Sequence, residues 1–342
     1  MKINKAFKYF NRRLGLNKFF PDNNENNLVA IFDTSIGSLN VGDEIINKSA
    51  TVFLEDIFHD KQITRLATHT GMGSIGLYIA NTAKHRVVCG SNLISGGMFR
   101  SGQWNLSLLD VLRIKQHILL GVGWQTYDSE YSWTTKLAYK MLLSKDGYHS
   151  VRDEFTKKKL EEIGFRNVIN TGCPTIWKLT KEHCSLIPTE KAKNVVTTLT
   201  ARRQDPRLDK CMLDTLVDSY EHVYLWLQGL GDNDYFESLG DYDNITLIPP
   251  HLSAYDKVLK ENESLDFVGT RLHAGIRALQ YKRRTLVVAV DNRATEKSKD
   301  FNLEIIQRSD LDTNLYEHIN SKFETKIKLD QDSIYKWMSQ FK

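Results

Sequence analysis

Short apolar runs alternate with amphipathic stretches along most of the chain. The first run, LVAIFD at 28–33, precedes a loop with two glycines and then a helical spacing of apolar residues from about Glu44 to Phe53. A strand, a glycine-containing loop and a helix in this order open a doubly wound α/β domain. The pattern continues with predicted strands at 86–89, 118–122, 150–151 and 168–170, and with predicted helices at 132–143 and 154–163.

A second series of the same kind follows a polar segment, 178–192, which contains Pro188. The pattern there predicts strands at 194–199, 223–227, 245–248, 265–268 and 285–290, and helices between them. The predicted domains are a basic N-terminal arm (1–27), an N-terminal domain (28–185) and a C-terminal domain (186–342) that carries a final helix. We therefore expect an α/β protein with two Rossmann-like domains facing a cleft.

The stretch LDFVGTRLHAGIRALQY, residues 265–281, combines a short buried strand, a turn and a helix. Thr270 is expected to cap the helix, which puts Arg271 and His273 in its first turn. Backbone N–H groups and the positive end of the helix dipole point to the same place, so an anion would bind there and a proton could be transferred. On these residues alone, a solvated arginine and a structural histidine are equally good interpretations.

Composition narrows the class of protein. The chain has 342 residues, 41% of them hydrophobic and 26% charged, which is typical of a soluble globular protein. A net charge of +4 does not indicate nucleic-acid binding. The four cysteines show no metal-binding spacing, and His59, Asp60 and His69 fit no standard metal site, so we expect reduced thiols and a cytoplasmic protein.

The N-terminal residues 1–20 are basic, with interleaved phenylalanines and no acidic residue. This pattern fits a basic amphipathic helix on an anionic membrane surface. A solvated arm that packs a few aromatic side chains onto the domain is the alternative, and it is the commoner behaviour of chain termini.

A glycine-rich stretch, GMGSIG at 71–76, matches the pattern G-x-G-x-x-G. A dinucleotide site also needs an acidic residue about twenty positions later, yet no Asp or Glu occurs from Lys61 to Leu109. We therefore interpret these glycines as a turn and reject a nicotinamide cofactor. The acid-free stretch suits an anionic or sugar-phosphate ligand, although chance and a buried sheet explain it equally well.

A second arginine lies at the end of a predicted strand. In S-V-R-D, residues 150–153, Asp153 is placed to cap the following helix and Arg152 projects at the strand's carboxyl end. On these residues alone, the preferred interpretation is a structural ion pair between Arg152 and a neighbouring acid.

Taken together, N-V-G-D (40–43), S-G-G (95–97), G-V-G (121–123), S-V-R-D (150–153), G-T-R-L-H-A (269–274) and Lys297 resemble the polysaccharide pyruvyl transferase family. The similarity runs from roughly Leu28 to Asp300. It implies a GT-B-like arrangement, with the acceptor on the N-terminal and the donor on the C-terminal domain. It also implies transfer of a pyruvyl group from phosphoenolpyruvate to a sugar of a cell-surface polysaccharide or its lipid-linked precursor, forming a ketal.

The resemblance assigns roles to residues at matching positions. Arg152, Arg271, the Leu272 backbone and His273 are expected to hold the donor on this resemblance. On chemical grounds, the helix that begins at Thr270 is expected to add backbone N–H groups to the donor anion, and His273 is the candidate catalytic acid because histidine titrates near neutrality. The candidates for acceptor contacts or loop positions are Asn40, Asp43, Gly96, Gly97 and Lys297. No metal is expected, because the arginines supply the positive charge, and no resident cofactor is expected, because phosphoenolpyruvate is a co-substrate. The expected partner is a glycan or lipid-linked oligosaccharide, with peripheral contact to the cytoplasmic face of the inner membrane through residues 1–20 and no nucleic acid.

One motif departs from the family pattern. Gly172-Cys173-Pro174-Thr175 stands where members more often have an acidic residue before a proline. A GT-B-type glycosyltransferase that uses a nucleotide sugar in surface-polysaccharide synthesis is therefore kept as an alternative. From a different class, a non-catalytic glycan-binding protein on the same fold is a third possibility.

Overall fold

The computed structural model describes residues 27–101, 103–126 and 130–342. The chain divides into two compact units. Among the described residues, unit 1 comprises 27–38, Ile46–Pro174 and Asp330–Lys342, and unit 2 comprises Leu39–Ile45 and Thr175–Leu329. The membrane contact predicted for residues 1–20, and all but the last residue of the predicted arm, lie outside the described residues.

Unit 1 is built on parallel strands. A four-stranded sheet has the order β2-β1-β3-β4, and a two-stranded sheet pairs β5 with β6. Val29 to Asp33 of β1 are buried without alternation, as expected for a parallel strand covered on both faces. The strands are β1 Leu28–Asp33, β2 Gln62–Ala67, β3 His85–Cys89, β4 His117–Leu120, β5 His149–Val151 and β6 Val168–Asn170.

Helices connect these strands. Within the described residues they are α1 Val41–Ile57, α2 Gly73–Thr82, α3 Met98–Ser101, α4 Leu108–Arg113, α5 Trp133–Leu142 and α6 Glu154–Ile163. Helix α6 has the predicted ends: the Asp153 carboxylate accepts the Thr156 N–H, and Gly164 stops the helix with a left-handed φ of 113°. The sequence predicts a turn at 71–76, whereas α2 already begins at Gly73.

Unit 2 is built on a six-stranded parallel sheet with the order β12-β11-β10-β7-β8-β9. The chain passes from β7 outward through β8 to β9, and then returns to β10 on the other side of β7. The direction of winding therefore reverses between β7 and β10. The strands are β7 Asn194–Thr197, β8 His222–Trp226, β9 Ile245–Ile248, β10 Leu265–Gly269, β11 Thr285–Ala289 and β12 Ile305–Gln307.

The helices of unit 2 follow the expected alternation with strands. Asp205 caps α8 by accepting the Leu208 N–H, and Pro206 occupies the first turn, where its missing donor costs nothing. The described helices are α7 Lys181–Cys184, α8 Pro206–Ser219, α9 Asp232–Glu237, α10 Leu252–Glu261, α11 Leu272–Gln280, α12 Asn292–Phe301 and α13 Leu311–Asn320.

The observed division of the chain differs from the predicted boundaries, 28–185 and 186–342. The change between units falls at Pro174 and Thr175, and the final helix, α14 Gln331–Ser339, belongs to unit 1. The indole of Trp337 is fully buried and donates to the Leu119 carbonyl of β4 at 2.9 Å. Residues Leu39–Ile45, at the start of α1, group with unit 2. The boundary between the two units is therefore set by spatial contacts and not by the polar composition of residues 178–192.

The predicted fold class is confirmed, because each unit is an α/β structure around a parallel sheet. The sequence pattern missed β2, in which only Leu66 is buried, and β12, which has three residues. None of the helices in the described part of the chain combines the length and the apolar character needed to cross a bilayer.

Candidate functional site

Arg271 lies where the winding of the six-stranded sheet reverses. It follows β10, and the segment after the neighbouring strand β7 runs beside it. The Thr270 N–H donates to the Thr198 carbonyl at 3.0 Å, and the Arg271 N–H donates to Thr198 Oγ1 at 3.1 Å. In open α/β sheets, ligands bind outside the carboxyl ends of the strands at such a reversal. The fold of unit 2 therefore puts Arg271 at its expected ligand position.

Thr270 does not cap the helix that follows. Its hydroxyl donates to the Thr198 carbonyl at 3.0 Å, and the residue is 5% exposed. Arg271 occupies the N-cap position of α11, and no side chain of the described residues caps this end. The prediction of a Thr270 cap is wrong because a tertiary contact holds the hydroxyl. The first N–H groups of a helix have no partner within it, so this end keeps its affinity for an anion.

The guanidinium of Arg271 is paired with Asp232. Nη2 lies 2.6 and 2.7 Å from the two carboxylate oxygens, and Nε donates to the Leu199 carbonyl at 2.9 Å. The two side chains are 13% and 1% exposed. Three bonds on two of its nitrogens fix the orientation of the guanidinium before any ligand arrives.

Asp232 is itself held by backbone donors. Its Oδ2 accepts the N–H groups of Gln228 at 3.2 Å and Gly229 at 2.8 Å, and its Oδ1 accepts the Ala201 N–H at 3.1 Å. A Cβ on Gly229 would come within 2.9 Å of Arg271 Nη2, so the arginine packs against a position without a side chain. This loop, which we call the 228–232 loop, is the support for Arg271.

The predicted residue Asn40 belongs to the same network. Its Oδ1 accepts the Gln228 amide at 2.9 Å and the Gly42 N–H at 3.2 Å, and Asn40 pairs with Gly229 in an isolated antiparallel bridge. A Cβ on Gly42 would lie 2.8 Å from the Gln228 amide nitrogen. Asp43 is 7% exposed in the first turn of α1, and its N–H donates to the Asn40 carbonyl. Two distant parts of the sequence thus meet at the 228–232 loop.

His273 is the second residue of α11 and is partly exposed, whereas Leu272 before it is 7% exposed. The helix lies close to the sheet, since a Cβ on Gly275 would come 2.7 Å from Val287 of β11. This close packing fixes the start of α11, and with it the backbone from which the His273 side chain projects.

Arg152 forms the ion pair that the sequence favours, in unit 1. Its Nε donates to Asp153 at 2.9 Å, Nη2 donates to the Trp124 carbonyl at 3.3 Å and Nη1 donates to Asn92. Burial raises the pKa of Asp153, but the Arg152 charge and the Thr156 hydrogen bonds outweigh it, so the pKa lies below the usual value. The pair therefore stays ionised at neutral pH.

The G-V-G motif at 121–123 gives Arg152 its space. A Cβ on Gly123 would stand 2.2 Å from Arg152 Nε, and a Cβ on Gly90 would stand 2.0 Å from the Gly121 carbonyl. The Arg152 N–H donates to the Val122 carbonyl at 3.1 Å. The glycines are required because backbone and guanidinium lie where side chains would be.

The remaining predicted positions are spread over both units. Gly96 accepts the Ser132 N–H at 3.1 Å, and Gly97 accepts the Arg100 N–H at 2.9 Å, so their loop lies against the start of α5. Lys297 is not in a loop: it lies in α12 and is 3% exposed. The structure links Asn40 to Arg271 through the 228–232 loop, whereas Lys297 is placed by its own helix.

Sequence reasoning missed Asp232, Gln228 and Thr198 in unit 2. A signal was available, since G-L-G-D at 229–232 follows β8 in the way that G-T-R follows β10. Among the described residues, no three side chains of His, Cys, Asp or Glu converge in a way that would hold a metal ion.

The family model for polysaccharide pyruvyl transferases matches residues 40–292, which is more than half of the chain. The chain belongs to the polysaccharide pyruvyl transferase family. The matched stretch contains Asn40, Arg152, Asp232, Arg271 and His273, so both arginine sites of this pyruvyl transferase family member lie within it. A comparison with curated proteins found no match.

One solved structure with a TM-score above 0.5 supports the GT-B-like fold of this pyruvyl transferase family member. The UDP-GlcNAc 2-epimerase of Methanocaldococcus jannaschii, in complex with UDP-GlcNAc and UDP, is 12% identical, with 92% of this chain and 99% of that chain covered and a TM-score of 0.51. The Neisseria meningitidis UDP-GlcNAc 2-epimerase bound to UDP-GlcNAc is 13% identical, covering 92% and 94%, with a TM-score of 0.47. The Escherichia coli heptosyltransferase WaaC with ADP is 12% identical, covering 82% and 90%, with a TM-score of 0.43.

Proposed function

We propose that this protein transfers a pyruvyl group from phosphoenolpyruvate to two hydroxyls of a sugar, forming a ketal on a cell-surface polysaccharide or its lipid-linked precursor. The observation that carries the proposal is the position of Arg271 and His273, at the reversal of the unit 2 sheet and within the stretch matched by the family model. The fold alone does not select a donor, because GT-B-like proteins act on different substrates.

The start of α11 is the proposed donor site in unit 2. Among the described residues none accepts a hydrogen bond from Arg271 Nη1, so this nitrogen is available for a carboxylate or a phosphate. Because Asp232 neutralises the guanidinium charge, most of the attraction for the anion comes from the helix dipole and its first N–H groups. The N–H groups of the Arg271 guanidinium, which Asp232 holds in place, then orient the bound anion.

His273 is the proposed general acid. Ketal formation begins when the CH2 carbon of phosphoenolpyruvate gains a proton, which makes the neighbouring carbon electrophilic. One sugar hydroxyl forms a C–O bond to that carbon, the bond to the phosphate oxygen breaks, and the second hydroxyl closes the ring. Of the two hydroxyl protons released, one replaces the proton given to carbon and the other leaves with phosphate. An imidazole suits this exchange because its ordinary pKa lies near neutrality.

From the family resemblance, we propose that Arg152 also binds the donor substrate, phosphoenolpyruvate. Its bonds to Asp153 and Asn92 support a positioned guanidinium, although they equally suit a structural role. The two roles differ in their consequences. If Arg152 binds the donor substrate, its substitution changes the affinity for phosphoenolpyruvate. If Arg152 is structural, its substitution changes only the free energy of unfolding.

The test is a transfer assay with a glycan acceptor extract. Phosphate release from phosphoenolpyruvate and the mass increase of a pyruvyl ketal on the acceptor are measured together, because phosphate release alone would also report hydrolysis. We expect both signals in equal amounts. Thermal unfolding with phosphoenolpyruvate and with UDP-, GDP- and CMP-sugars is the companion experiment, since a ligand that binds the native state raises the Tm.

The alternatives predict different results. A glycosyltransferase would be stabilised by one nucleotide sugar and would leave phosphoenolpyruvate intact. A non-catalytic glycan-binding protein would turn over neither donor class with any acceptor fraction. Either outcome would overturn the proposal.

A further inference from the structure

Exposed apolar side chains are concentrated on two helices of unit 1. Helices α4 and α5 pack against each other. Five of the large apolar side chains exposed in the described part of the chain lie on them, with exposures from 49% to 76%: Leu108, Leu109, Leu112, Trp133 and Leu137. On both helices these residues recur at three- and four-residue spacing, so they share one side of each helix. The result is an apolar surface, which we call the α4–α5 surface.

Basic residues border the α4–α5 surface. Lys115, just after α4, and Lys140, near the end of α5, line one depression of about 360 Å³ together with Lys145. Segments 103–115 and 130–146 contain five basic residues and three acidic ones, and Asp146 is among the residues that line the same depression. One of the acids, Asp110, is bound by Ser107 in the capping box at the start of α4. The α4–α5 surface therefore has exposed apolar side chains with lysine side chains beside them.

We propose that the α4–α5 surface binds an anionic lipid bilayer, with its apolar side chains among the acyl chains and its lysines at the headgroup phosphates. Interfacial membrane-binding helices combine leucine and tryptophan on one side with lysine beside them. Protein interfaces, in contrast, are depleted of lysine, so the charge complementarity favours a lipid surface. The proposal does not involve residues 1–20, and it is independent of the transfer reaction.

Trp133 provides a natural reporter for this surface. It is 76% exposed, whereas the other five tryptophans of the chain are at most 3% exposed: Trp104, Trp124, Trp177, Trp226 and Trp337. The segment 1–26 contains no tryptophan. Quenching of tryptophan fluorescence by lipids with brominated acyl chains therefore reports insertion of the α4–α5 surface, and not tethering through the N-terminus.

The experiment uses the full chain and vesicles of brominated phosphatidylcholine with phosphatidylglycerol. We expect a blue shift and quenching of Trp133 with these vesicles, and much less with phosphatidylcholine alone. A Leu109→Ser/Leu112→Ser variant should lose roughly tenfold or more of its vesicle affinity for each leucine, since an exposed leucine contributes when it leaves water. Lys140→Gln and Lys145→Gln should each cost about fivefold at low salt.

Matched controls lie away from the surface. Leu186 is 59% exposed in unit 2, so Leu186→Ser removes a comparable apolar side chain and should leave vesicle affinity unchanged. Lys158 is exposed on α6, and Lys158→Gln is the charge control. Equal thermal stability of all variants shows that a loss of affinity is not a loss of folding.

Two results would overturn the proposal. If anionic brominated vesicles leave the tryptophan emission unquenched while the protein still sediments with them, another part of the chain makes the contact. If the protein dimerises in solution and the Leu109→Ser/Leu112→Ser variant is monomeric, a second copy covers the surface instead.

Discussion

Arg271 reaches Asp232 through a single nitrogen, Nη2, which lies 2.6 and 2.7 Å from the two carboxylate oxygens. The partner is one of the most buried acids of unit 2, and it also accepts three backbone N–H groups. Asp232 thus joins the segments that follow β7, β8 and β10. A ligand contact through Arg271 depends on this carboxylate as much as on the arginine.

Asp232→Asn is expected to disturb both stability and donor binding. The amide keeps one acceptor oxygen but leaves the largely buried guanidinium without its counter-charge, which costs about 3 kcal/mol of unfolding free energy. We also expect the KM for phosphoenolpyruvate to rise, because Arg271 loses its fixed orientation. Urea unfolding and steady-state kinetics measure the two effects. If Asp232 only neutralised charge, the KM would fall, since an unpaired arginine attracts the anion more strongly.

His273→Ala should lower turnover by roughly 10²- to 10⁴-fold, which is the usual contribution of a general acid. Donor affinity should be largely retained, because the Arg271 donors and the α11 N-terminus remain. Single-turnover rates and phosphoenolpyruvate binding by calorimetry separate these quantities. His59, which is exposed in unit 1, gives the control His59→Ala, with activity expected to be unchanged. Near-normal turnover of a folded His273→Ala protein would remove this residue from the mechanism.

Gly123→Ala tests whether Arg152 must keep its place. The added Cβ would stand 2.2 Å from Arg152 Nε, so either the guanidinium or the backbone must move. We expect a loss of stability of about 1–3 kcal/mol from overpacking and, if Arg152 binds the donor, a higher KM. Gly71→Ala is the matched control, because nothing lies within 4 Å of the added Cβ. A variant with lower stability and an unchanged KM would assign Arg152 to structure alone.

The buried histidines of unit 1 predict a loss of stability in acid. Burial lowers the pKa of His149 to about 4, although its bond to the Ser144 carbonyl opposes the shift. Its Nδ1 accepts the Leu119 N–H, so the Nε2–H neutral form is required and protonation breaks that bond. Burial also lowers the pKa of His117, another buried histidine of unit 1, to about 3.

The direction in which the free energy of unfolding changes with pH follows from the unfolded state, in which histidine has a pKa near 6.5. Because the folded pKa of His149 is lower, its contribution to stability is complete above pH 6.5 and declines as the pH falls towards 4. The total decline is roughly 3 kcal/mol. Urea unfolding at pH 7, 6 and 5 measures the slope, and His149→Gln, which keeps an acceptor for Leu119, should reduce it by about 1 kcal/mol per pH unit over this range. Equal slopes in both proteins would exclude His149 as the group that titrates.

Much of the fold could be predicted from local pattern. Leu28–Asp33, Glu154–Ile163 and Val168–Asn170 have the predicted bounds, because apolar runs and capping residues are local signals. The local pattern could not predict β2, because five of its six residues are not buried. Its pairing with β1 is what makes it a strand.

The candidate site was predictable only in part, for the same physical reason. Arg271 and His273 follow a strand and begin a helix, and sequence alone indicates this. Asp232 lies 39 residues before its partner, and only the sheet order brings the two loops together. Thr270 has the chemistry of a cap, yet the carbonyl of Thr198, from another loop, competes successfully for its hydroxyl.

The position of α14 has a consequence for the order of folding during synthesis. Unit 1 contains most of the first half of the chain, but the Leu119 carbonyl of β4 receives its indole donor from Trp337, which follows all of unit 2 in the sequence. All of Leu39–Ile45 and Thr175–Leu329 has been synthesised by then. Domains fold largely as units while the chain emerges from the ribosome. The unit whose sheet starts first is therefore the last to be completed.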